Sequence, residues 1–64
     1  MIKQLLHEGF EIFDEPYLRY ELDNIYVTVD HRDGFTTITD GCDEITIFET
    51  AEFQQIETLL KALQ

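Results

Sequence analysis

The side chains able to do chemistry in this chain are few and scattered. There is one Cys (Cys42), two His (His7 and His31), no Ser, and fourteen Asp and Glu among 64 residues. A thiol nucleophile would have to be Cys42 served by His7 or His31 as base. Cys42 sits among Asp40, Asp43 and Glu44, whose negative charge disfavours a thiolate. The simplest reading of Cys42 is a spectator in a turn. Zinc would need paired Cys or His at ligand spacing, and His7, His31 and Cys42 share none. Calcium is the better metal candidate, because carboxylates crowd the turns. Yet counting back from Gly34, the required Asp and Asn positions fall on Val29, His31 and Asp33. From Gly41 they fall on Thr36, Ile38 and Asp40. No Gly-rich loop able to cradle phosphate is present. Carboxylate pairs arise by chance at this acid content, and so small a chain has little interior in which to tune them. The expectation is no enzyme, no cofactor and no metal.

The elements that would position these groups follow from periodicity. Ile2, Leu5 and Leu6 sit at i, i+3, i+4, and Gly9 stands where a helix C-cap belongs, so residues 2–8 read as a short helix. Phe10–Phe13 reads as a strand, with Phe10 and Ile12 on one face. Asp14-Glu15-Pro16 is a turn. Tyr17–Leu22 alternates, placing Leu18, Tyr20 and Leu22 inward and Tyr17, Arg19 and Glu21 outward. Asp23-Asn24 turns the chain into Ile25–Asp30, where Ile25, Val27 and Val29 line one face. His31–Gly34 is a hairpin loop in which Gly34 can take positive φ. Phe35–Thr39 is a strand whose Phe35 and Ile38 have opposite parity, which suggests a bulge or a twisted edge. After Asp40–Asp43, Glu44–Phe48 is a strand with Ile45 and Ile47 inward. Thr50 is a fair N-cap for an amphipathic helix over residues 51–63, with Phe53, Ile56, Leu59, Leu60 and Leu63 at helical spacing.

Short connections between strands dictate an antiparallel meander, and its apolar face needs a cover. The expected fold is a single α+β domain over residues 1–64: a short N-terminal helix, four to five antiparallel strands, and a C-terminal amphipathic helix packed on one sheet face. The expected core is Phe10, Ile12, Leu18, Tyr20, Leu22, Ile25, Val27, Val29, Ile38, Ile45, Ile47, Phe53, Ile56, Leu60 and Leu63.

Charge excludes more than motifs do. Four Lys and Arg against fourteen acids give a net charge of −10, so direct binding to nucleic acid or an anionic membrane is not expected. No apolar run approaches the roughly 20 residues that span a bilayer. The N-terminal stretch lacks a signal-peptide h-region. With one Cys and no disulfide to staple so small a domain, a cytoplasmic location is expected.

The turns should gather Asp14, Glu15, Asp30 and Asp33 at one end of the sheet. Asp23, Asp40, Asp43 and Glu44 should gather at the other, with Glu52 and Glu57 on the solvent face of the last helix. The functional expectation is a small protein-binding module that modulates a basic partner by electrostatic complementarity, as an inhibitor or nucleic-acid mimic at the sharpest. The expected contact residues are Glu21, Asp30, Asp33, Asp40, Asp43 and Glu44, with Tyr17, Tyr26 and Phe48 (and Phe13 alongside) giving fit. The alternative is a homodimeric or accessory interaction domain. It would use an aromatic sheet face, unless the first helix covers that face, and its acidity would serve only solubility.

Overall fold

Alternating apolar and polar residues make a strand with one dry face, as in residues 17–22 and 25–30, and the turns between this chain's strands are too short for any crossover. The computed structural model describes all 64 residues. In chain order the elements are α1 (Ile2–Glu8), β1 (Glu11–Asp14), β2 (Tyr17–Leu22), β3 (Ile25–Asp30), β4 (Thr36–Asp40), β5 (Asp43–Phe48) and α2 (Phe53–Leu63). The strands form one antiparallel sheet in the order β1-β2-β3-β4-β5, the expected meander.

α1 ends as the sequence requires. Gly9 takes φ 115°, and the cap returns hydrogen bonds to the carbonyls of Leu5 and Leu6. β1 begins one residue later than expected, at Glu11, and Phe10 is buried just ahead of it. The turn into β2 holds a cis peptide bond between Glu15 and Pro16. β2 and β3 keep their expected bounds and pair without irregularity, from Tyr17 opposite Asp30 to Leu22 opposite Ile25.

One face of the sheet carries the core. Leu5 of α1, Phe10, Leu18 of β2, Val27 and Val29 of β3, Ala51, and Ile56 and Leu60 of α2 form a single buried cluster. Both helices therefore lie on the Leu18–Val27–Val29 face. Burying each Leu, Val, Ile or Phe of this cluster contributes about 1.5–3 kcal/mol. Tyr20, Leu22, Ile38, Phe53 and Leu63 pack around it as expected.

Four expectations about the interior need correction. Ile12, Ile45 and Ile47 are not core residues: they are 50%, 59% and 37% exposed. Ile12 and Ile45 lie on the two edge strands of the sheet, and Ile47 is the unpaired residue of a bulge. Second, Phe48 does not point outward; it packs against the core cluster. Thr36 pairs with Phe48 while Thr37 pairs with Thr46, so Ile47 is the extra residue of a bulge that reverses the parity of β5. The bulge expected from Phe35 and Ile38 is not in β4: Phe35 precedes that strand and lines the open face with Thr37 and Thr39, and the extra residue belongs to β5. Third, Leu5 and Ala51, absent from the expected core, are buried. Fourth, α2 starts at Phe53 with Glu52 as N-cap, not Thr50. Glu52 and Gln55 satisfy each other's backbone N–H groups in a capping box.

Candidate functional site

With both helices on one face, the opposite face of the sheet is open. Register decides what stands there. Glu11 pairs with Arg19, Arg19 with Thr28, Thr28 with Thr37, and Thr37 with Thr46. Beside that row runs a second, with Glu21 opposite Tyr26, Tyr26 opposite Thr39, and Thr39 opposite Glu44. These side chains project away from the core.

Phe13, Asp14, Tyr17, Arg19, Tyr26, Phe35 and Glu44, with Thr28, Thr37 and Thr39 as the floor, line a shallow depression of about 570 Å³ on this face. Phe13, Tyr17 and Phe35 are 50%, 39% and 38% exposed. Phe13 stacks obliquely on Tyr17 with ring centres 6.5 Å apart. The Arg19 guanidinium carbon lies 4.9 Å from the centre of the Phe13 ring and 4.7 Å from that of Tyr26. Arg19 thus rests on two aromatic faces, one from each flanking strand. A smaller hollow beside it is lined by Gly9, Glu11, Phe13, Arg19 and Glu21.

The charge around this face is almost wholly unpaired. Glu15 alone among the fourteen acids has a cation within 4.0 Å. Its Oε1 accepts a hydrogen bond from His31 Nε2 at 2.6 Å and lies 3.9 Å from Arg32, tying the β1–β2 turn to the β3–β4 loop. Two of the expected partner-binding acids have local structural work. Asp30 accepts the Arg32 N–H at 2.9 Å, and Asp33 accepts the Phe35 N–H at 3.0 Å, shaping the loop that presents Phe35. Asp40, Asp43 and Glu44 are exposed at the β4–β5 turn, and Glu21 is exposed on β2. Glu57, expected on the solvent face of α2, is half-buried.

Of the expected aromatic contacts, Tyr17 and Tyr26 stand on the open face together and Phe48 lies on the other side of the sheet. Phe35 and the central place of Arg19 went unread. The face of Arg19 was legible from β2 alternation, but its ring partners depend on register between three strands.

Cys42 and His31 do not meet. Cys42 is exposed in the β4–β5 turn, and His31 pairs with Glu15 beyond the opposite end of β4. No three His, Cys, Asp or Glu side chains come close enough to hold a metal ion. No helix is long and apolar enough to cross a membrane. Compared with known proteins, the chain matches no family model, no curated protein and no solved structure.

Proposed function

We propose that this domain is a non-catalytic module that binds a basic protein partner through the open face of its sheet. The observation that carries this reading is the coincidence of an uncovered aromatic depression with carboxylates that no internal cation neutralises. Aromatic side chains supply fit and desolvated area, and Glu11, Glu21, Asp14 and Glu44 around them supply charge complementarity and a faster encounter.

The overall charge density argues for a protein partner over close imitation of nucleic acid. The molecule exposes 4399 Å² for ten net charges, or about 440 Å² each. A DNA cylinder of about 10 Å radius offers about 107 Å² per charge at one charge per ~1.7 Å. Mimicry would demand far tighter clustering than acids split between two sheet ends provide.

The test is capture of partners at 50 mM and 0.5 M NaCl by the wild type and by a Tyr17→Ser/Phe35→Ser variant. A basic partner should bind at low salt, leave as screening grows, and be lost with the double variant. A partner indifferent to both the variant and salt would overturn the proposal. So would a stable dimer in sedimentation at micromolar concentration that the double variant dissociates.

A further inference from the structure

We infer that the slot between Phe13 and Tyr26 takes an arginine side chain of the partner, and that Arg19 fills it as a stand-in while the protein is free. The inference deepens the proposed binding of a basic partner and rests on it.

Arg19 has carboxylates at hand and does not use them. Glu11 stands directly across the strand pair, and Glu21 is two residues along on the same face. Neither comes within 4.0 Å of the guanidinium, which lies over two rings instead. Ring faces attract cations and repel carboxylates, so the slot is built for positive charge. Its surroundings agree: Glu11 and Glu21 flank Arg19 in the smaller hollow, and Asp14 and Glu44 line the depression. An incoming anion would meet Arg19 but also these four acids, in a chain of net charge −10. An incoming cation would meet two π faces with free carboxylates around them. A guanidinium suits this better than an ammonium because it is flat, weakly hydrated and presents several donors in a plane. Arg19 itself demonstrates the fit. It also imposes a cost, since a partner arginine must displace it or share the rings.

The probes are two capped peptides of equal charge, one with four arginines and one with four lysines spaced by glycine. Their affinities are measured in 0.15 M NaCl. The wild type should bind both and favour the arginine peptide. Arg19→Ala removes a positive charge, which strengthens both peptides alike, but it also empties the slot. The arginine-over-lysine ratio should therefore rise, by at most the roughly two- to fivefold that one whole exposed cation–π contact is worth, since lysine gains part of it too. Phe13→Leu, at a half-exposed position, removes one of the two rings and should lower the ratio below that of the wild type. An unchanged ratio in Arg19→Ala overturns the inference and spares the basic-partner reading. Weaker binding of both peptides to Arg19→Ala also overturns it. Failure of the wild type to bind either peptide overturns both.

Discussion

Gly34 and Ala51 meet backbone to backbone: a methyl group built on Gly34 would overlap the Ala51 amide nitrogen and carbonyl oxygen and stand 2.8 Å from its carbonyl carbon. This contact lets the segment entering α2 lie against the β3–β4 loop. Gly34 also holds φ 83°, a conformation that costs other residues about 1–2 kcal/mol. Gly34→Ala should therefore lose that amount plus an overpacking cost of about 1–3 kcal/mol. Gly41, at φ 79° with open space around it, isolates the first cost. In urea melts Gly34→Ala should be clearly less stable than Gly41→Ala; equal losses would deny the contact.

The side of the sheet on which α1 lies determines whether the aromatic face is free. Leu5 is fully buried and Leu6 is 43% exposed. Leu5→Ala should cost about 2–5 kcal/mol and Leu6→Ala well under 1 kcal/mol. At about 4–8 °C per kcal/mol, a melting curve separates the two. A reversed order would mean that α1 turns Leu6, not Leu5, toward the core.

The start of α2 offers a matched pair. Glu52→Ala removes half of a capping box and should cost about 1 kcal/mol, whereas Thr50→Ala should change stability by only a few tenths. Chemical denaturation read by helical circular dichroism decides between them. A larger loss at Thr50 would move the cap back to where the residue types alone suggest it.

Self-repulsion should be visible in the thermal stability. Thirteen acids have no cation within 4.0 Å, so raising NaCl from 10 mM to 0.5 M should raise Tm as screening shortens from roughly 30 Å to a few Å. The His31–Glu15 contact works against this trend but is half-exposed, and pairs of that kind are worth about 0–1 kcal/mol. A Tm that stays flat or falls with salt would mean that the carboxylates do not repel one another appreciably.

Much of this architecture is legible along the chain because strand alternation and helical spacing are local signals. β2 and β3 could be read to the residue: their apolar positions alternate without interruption and their turns are short. α1 could be read from Ile2, Leu5, Leu6 and Gly9, but three apolar residues in two turns do not say which one faces inward. β5 misled because its alternation predicts the wrong face once Ile47 is inserted against β4, and insertion is a property of the pair. The helix start at residue 53 was hidden because Thr50 is a better cap by type, whereas Glu52 wins through Gln55 three residues on. The open face was half legible. Tyr17 and Tyr26 announce it by parity; the stacking of Arg19 across β1, β2 and β3 does not exist until the strands are in register.

Both outermost strands carry an irregularity, at Phe13 in β1 and at Ile47 in β5, while the interior pair β2–β3 has none. A straight border of unpaired amides invites further strands to join, and a kinked one spoils the fit. Each free border of the sheet is thus an irregular template, which disfavours edge-to-edge growth beside the bare aromatic surface.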